Sequence, residues 1–223
     1  MTSPVRTIGD RIASGAFWTV GMRLSIRLLG VISIIILARI LVPEDFGIVA
    51  KASMIATVME SILEFGLDAA LIHNRKATSL HYDTVWTIHV IRGSVIAFIL
   101  LVLANPAASF LNEPVLSSVL LFYALTSFVN GLHNVGVVDF RKNLEFDRDF
   151  YFSLFRKLTS FVVTIVVAFV WRSYWAFVAG VVAGSVSGLA ASFTMSKYRP
   201  KLCFQEWRSL FHFSKWMFIN SLV

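Results

Sequence analysis

The stretch GMRLSIRLLGVISIIILARI, residues 21 to 40, sets Arg23 and Arg27 one helical turn apart inside an otherwise apolar run. A guanidinium at that depth costs about 2.5 to 3.5 kcal/mol on insertion scales, so each needs a counter-charge, a hydrated cavity or an anionic ligand. Further reactive side chains recur in apolar surroundings: Lys51, the acidic series Glu60, Glu64 and Asp68 at i, i+4, i+8, then His89 with Arg92, then Asn130, His133 and Asn134. Arginine forks donate paired hydrogen bonds to phosphate oxygens and stay charged at physiological pH. Arg23, Arg27 and Arg92, with Lys51, are therefore candidates for holding an anion, and Asn130 and Asn134, one turn apart, offer amides suited to hydroxyl groups. Glu60, Glu64, Asp68 and His89 are the groups whose protonation or cation binding could couple to movement, because burial raises a carboxyl pKa toward neutrality. The plainer alternative pairs Arg23 with Glu60 or Glu64 and leaves His89 and His133 as packed, hydrogen-bonded residues. No nucleophile stands beside a base, no spacing suits a metal and nothing requires a cofactor, so catalysis is not expected.

The elements that must carry these residues are set by composition. With 57% hydrophobic and 15% charged residues and a mean hydropathy of +0.74, the chain belongs in a bilayer. The lone Cys203 excludes an intramolecular disulfide, and the N-terminus lacks the pattern of a cleaved signal. Apolar runs of about 20 residues predict six transmembrane helices near 17 to 41, 44 to 66, 83 to 104, 115 to 138, 152 to 171 and 173 to 195. LVPEDFG turns the first into the second, with Pro43 in the first turn and Glu44 and Asp45 at the positive end of the helix dipole. Gly180, Gly184 and Gly188 make a small-residue seam that suits close helix packing. In DFRKNLEFDRDFYFSLFRK the signs of charge interleave, which predicts a self-paired cytoplasmic helix.

The net charge of +7 is spread over short loops, which argues against a nucleic-acid partner and instead marks membrane sidedness. A cytoplasmic N-terminus gathers on one side Arg6 and Arg11, Arg75 and Lys76, Arg141, Lys142, Arg148, Arg156 and Lys157, then Lys197, Arg199, Lys201, Arg208 and Lys215. Arg172 alone falls on the other side. After the sixth helix, Phe204, Trp207 and Phe211 form an apolar stripe, so 197–214 is expected to be an interfacial amphipathic linker. KWMFINSLV then reads as the start of a seventh helix, 215–223, echoing the first: Trp18 and Leu24 share the interval of Trp216 and Leu222. The expectation is an all-α integral membrane protein, a six-helix lobe over 1–196 forming the first half of a two-lobed molecule.

ASGAFWTVGMRL, LARILVPEDFGIVAKA, FGLDAALIHN and DFRKNLEFDRDF together resemble the N-terminal lobe of polysaccharide exporters and lipid-linked oligosaccharide flippases, within the multidrug/oligosaccharidyl-lipid/polysaccharide exporter superfamily. The resemblance implies two six-helix lobes, a bacterial inner-membrane location and alternating access. It also implies a polyprenyl-diphosphate-linked oligosaccharide as cargo, for lipopolysaccharide, capsule or exopolysaccharide, with membrane lipids and the polymerase and glycosyltransferase machinery as partners. On that footing the diphosphate is the anion for Arg27, Arg92 and Arg23. Two alternatives stand beside it. A cation-coupled drug or metabolite antiporter of the same superfamily would want more interior carboxylates than this net-basic interior supplies, and a truncated, non-transporting fragment would merely insert.

Overall fold

The computed structural model describes residues 8–64, 66–74 and 77–205, and every regular element among them is helical. α1 spans Ile8–Leu37, α2 Pro43–Ile62, α3 Leu67–His73, α4 Ser79–Phe110 and α5 Val115–Gly131. A 3₁₀ turn at Val135–Val137 leads into α6 (Val138–Lys142), followed by α7 (Phe146–Trp171) and α8 (Trp175–Met195). Four helices are long and apolar enough to cross a bilayer singly: α1 over Phe17–Leu37, α4, α7 and α8. The pairs α2/α3 and α5/α6 are long and apolar enough only together, each bent by more than 40°, which gives six spans when each pair counts as one. The protein is an all-α, multi-pass membrane protein.

Contacts between element ends show how the bent pairs run. At one end of the bundle, Asp45 in the first turn of α2 accepts the Tyr174 N–H beside α8 at 3.1 Å, and Lys51 reaches Glu113 in the α4–α5 turn at 2.9 Å. At the opposite end, Tyr82 at the start of α4 donates to Asp139 of α6, and Leu71 of α3 packs against Tyr82 and Val85. Each pair therefore begins at the first end and finishes at the second.

Local chemistry explains most of the boundaries. Pro43 lacks the N–H that a first helical turn leaves unpaired anyway, and Glu44 and Asp45 follow it. Gly66 supplies the left-handed φ of 60° that turns α2 into α3. Thr78 and His81 form a capping box that starts α4. Against the expected spans, α4 is longer at both ends, α7 starts at Phe146 rather than near 152, and the run over 115–138 is broken after Gly131. The break has a physical cause. Gly131 lies against Gly93 of α4, where an added Cβ would meet Gly93 Cα at 3.1 Å, and the next residues turn to pair with α8.

The glycine seam of α8 packs on α7: a Cβ at Gly184 would lie 3.1 Å from Ser160 Cβ, and one at Gly188 3.1 Å from the Arg156 side chain. Small residues also dominate the central core, where Ala52, Ala56, Ala104 and Ala124 surround Leu100, Leu116 and Leu120. Interleaved charges around α6 and α7 do pair with one another, Arg141 with Asp149 and Arg148 with Glu145, both at 3.0 Å. Those residues belong to α6 and to the first turn of a long spanning helix, not to a separate surface helix. Residues 197–204 of the expected amphipathic linker carry no helix: the Tyr198 carbonyl accepts from Asn134, and the N–H groups of Lys201 and Cys203 donate to side chains of α4. The remainder of that linker and the expected seventh helix lie outside the described residues.

Candidate functional site

Polar side chains from four spans converge on a cleft of roughly 490 Å³ within the bundle. α7 contributes most, because Ser153, Arg156, Lys157 and Ser160 repeat at three- and four-residue intervals and so share one face. α2 adds Thr57 and Glu60, α5 adds Tyr123, Thr126 and Asn130, α8 adds Gly184 and Ser185, and Ile26 closes the α1 side. Arg141 of α6 lines the far end, its Nε already donating to Asp149.

Within the cleft the hydrogen bonds are long. Arg156 Nη2 donates to Asn130 Oδ1 at 3.4 Å, and Ser127 Oγ donates to Glu60 Oε1 at 3.3 Å. The lining holds Arg141, Arg156 and Lys157 against the single carboxylate of Glu60. The seam of α8 makes room for this: Gly188 sits against the Arg156 stem and the His133 ring, and His133 Nε2 lies 3.2 Å from the Ser185 carbonyl. Chemically the cleft offers a guanidinium, an ammonium, an amide and several hydroxyls in a low-dielectric setting, a donor-rich set that suits an anion with hydroxyls attached. Among the described residues no group of three or more potential ligands could hold a metal.

The residues singled out from sequence do not all meet here. Asn130 and Glu60 line the cleft. Arg23 and Arg27 stand on the open face of α1, exposed, and neither has an ion-pair partner among the described residues, so the pairing of Arg23 with Glu60 or Glu64 is corrected. Lys51 is taken by Glu113 at the other end of the bundle. Arg92 is half-buried on α4 within electrostatic reach of His89, outside the lining. Asn134 is fully buried, and both ends of its amide are committed: Oδ1 accepts from the Gly136 N–H and Nδ2 donates to the Tyr198 carbonyl. It therefore shares no helix face with Asn130. The acidic series is likewise divided, because α2 ends at Ile62: Glu64 is exposed in the turn, and Asp68 on α3 faces His89 at 3.5 Å.

Comparison with known proteins adds the family. The profile of the family described as "Polysaccharide biosynthesis protein" matches residues 36–223. The chain belongs to the polysaccharide biosynthesis protein family. Similar proteins include the lipopolysaccharide biosynthesis protein WzxC of Escherichia coli (strain K12), 24% identical over 165 residues, covering 74% of this chain and 34% of that protein. An uncharacterized membrane protein in the cps region of Klebsiella pneumoniae is 23% identical over 153 residues, covering 69% of this chain and 32% of that one. The chain thus spans about a third of the length of the curated relatives it matches. No solved structure matches it.

In this polysaccharide biosynthesis protein the residues that sequence reading missed as site residues are Arg156 and Lys157, counted there among the basic charges of one membrane side although they fall within the expected span 152–171. Counting back 15 residues from Trp171 at ~1.5 Å each puts Arg156 about 22 Å along the span, inside a hydrocarbon core of about 30 Å. The signal that could have found them is the polar series Ser153, Arg156, Ser160 and Thr164 on an otherwise apolar helix.

Proposed function

We propose that this chain is the N-terminal, six-span part of an exporter that moves a diphosphate-linked, lipid-anchored oligosaccharide across a bacterial inner membrane by alternating access, for lipopolysaccharide, capsule or exopolysaccharide. The observation that carries the reading is the cleft itself, where Arg156 and Lys157 face the single lining carboxylate of Glu60 and Arg141 is paired with Asp149, among hydroxyls and an amide inside a membrane bundle. Arg156, helped by Lys157, is the anion contact of that cleft, and Asn130 with Thr57 and Thr126 serves the sugar hydroxyls. Arg23 and Arg27, exposed on α1 with no ion pair among the described residues, and Arg92 on α4 extend the basic path, while Asp68 with His89 is the pair that ion coupling would use. The N-terminus is cytoplasmic in this reading, the polymerase and glycosyltransferase machinery supplies and receives the cargo, and the chain itself catalyses nothing.

Complementation tests it. The full-length gene, expressed in a flippase-deficient, polysaccharide-negative bacterium, restores surface polysaccharide. Arg156→Ala, Arg27→Ala and Arg92→Ala, at parental membrane levels, reduce it. Full export by all three variants would sink the anion-path reading, and no export by the abundant parent would sink transport altogether.

A further inference from the structure

The chain leaving α8 crosses the bundle without secondary structure of its own. From Ser196 to Phe204 it carries no helix or strand; its first part is tied to the α5–α6 junction, where the Tyr198 carbonyl accepts the Asn134 Nδ2–H at 2.7 Å, and two N–H groups farther on donate to α4 side chains. Lys201 N–H donates to Asp83 Oδ1 at 2.7 Å, and Cys203 N–H donates to Thr87 Oγ1 at 3.0 Å. The registers match for a geometric reason: alternate residues of an extended chain advance about 6.6 Å, close to the ~6 Å between helix positions four apart.

Asp83 is the centre of the attachment. It is 8% exposed, and it also accepts the Tyr198 hydroxyl. Burial, with the Asp83 carboxylate next, pushes the Tyr198 phenol well above its ordinary range, so the hydroxyl remains a donor at physiological pH. A buried carboxylate stripped of such donors is costly, so the segment and Asp83 depend on each other.

Beyond Tyr198 the attachment is thin. Ser196 is buried and Tyr198 packs beside Tyr82 at 5.5 Å between centroids, whereas Leu202 and Phe204 are 73% and 55% exposed. Polar point contacts with little apolar burial are the mark of segments that open locally before the rest of a fold does.

We propose that residues 199–204 form a detachable strap, hinged on the buried Ser196 and on Tyr198 and latched to α4 by the Asp83 carboxylate, that unlatches when the full-length protein changes conformation. The strap's part in the cycle rests on the transport reading above.

Cys203 supplies the test. The 3.0 Å bond to Thr87 puts the two Cα atoms within about 7 Å, the reach of a disulfide. Full-length Thr87→Cys protein, oxidised in membranes, should cross-link, whereas the same variant with Cys203→Ser should not. Cross-linking should cut export at least tenfold, and a reductant should restore it. Undiminished export at full cross-linking overturns the proposal, as does absence of the cross-link. A second readout does not depend on transport: Asp83→Ala should raise the rate at which a maleimide labels Cys203 at least fivefold, and an unchanged rate also overturns the latch. If the parent exports nothing while cross-linking and labelling behave as expected, transport is the reading that falls, and the latch stands without it.

Discussion

Asn134 spends both ends of its amide inside the protein, on Gly136 N–H at 2.9 Å and the Tyr198 carbonyl at 2.7 Å, whereas the Asn130 amide, among the described residues, meets the Arg156 guanidinium at 3.4 Å in the open cleft. Their variants should therefore part company. Asn134→Ala leaves the buried Gly136 N–H unpaired, at about 1 to 3 kcal/mol, and takes from the Tyr198 carbonyl one of its two donors, the other being Arg199. It is expected to lower the thermal unfolding midpoint of the detergent-solubilised protein by several degrees, while Asn130→Ala leaves that midpoint in place and lowers export instead. Equal melting losses for the two would refute this division. At Arg156 the chemistry makes a finer distinction. Lysine keeps the charge but loses the planar fork, so Arg156→Lys should retain export between the parent and Arg156→Ala, read from surface polysaccharide at matched membrane levels. If lysine restores export fully, only charge matters at that position. The sequence made the types of these residues legible but not their company. Asn130 and Asn134 look alike at four-residue spacing, and only the break after Gly131, made by partners more than 50 residues away, turns one inward to Tyr198 and leaves the other facing the cleft. Arg156 was hidden for a related reason: a charge in the cytoplasmic half of a span reads as a basic charge of that membrane side until a neighbouring helix with a glycine seam makes room for it.

Helices were the legible part of the fold, because a membrane leaves backbone groups few ways to be satisfied and apolar runs of spanning length announce themselves. The bends were not, because they depend on where two backbones touch. α4 and α5 meet at Gly93 and Gly131, where a Cβ on Gly93 would lie 2.8 Å from the Ser127 carbonyl oxygen and 2.9 Å from Gly131 Cα. Backbone cannot yield as a flexible side chain does, so Gly93→Ala must push the helices apart. It is expected to destabilise by about 1 to 3 kcal/mol, as overpacking does. Gly47, on α2 with nothing within 4 Å of an added Cβ, is the control: Gly47→Ala should be neutral or stabilise by about 0.5 to 1 kcal/mol through helix propensity. Size-exclusion recovery after graded heating compares the two, and a Gly93→Ala protein as heat-resistant as Gly47→Ala would show that the crossing has slack.

For the molecule as a whole, the arrangement of ends decides which side of the membrane the cleft serves. The start of α4, α6 and the strap after α8 come together at one end through Tyr82, Asp139, Asp83 and Tyr198. That end carries Arg141, Lys142, Lys197, Arg199 and Lys201, whereas the turn after α7 at the opposite end carries Arg172. Basic loops stay on the cytoplasmic side, so the end bearing Asp139 and the strap should face the cytoplasm, with the turns at Asn112 and Arg172 outside. The bent pairs make this more than a formality. If the α5/α6 pair were a re-entrant loop, Asn112 and Lys142 would lie on the same side of the membrane. The basic cleft, which takes Asn130 from α5 and Arg141 from α6, would then open at one surface only and could not pass a cargo between two. Alkaline phosphatase fused after Asn112 or after Arg172 should therefore be active, and fused after Lys142 or after Lys197 at least tenfold less so. Equal activity at Asn112 and Lys142 would reduce the spans below six and remove the path that alternating access needs.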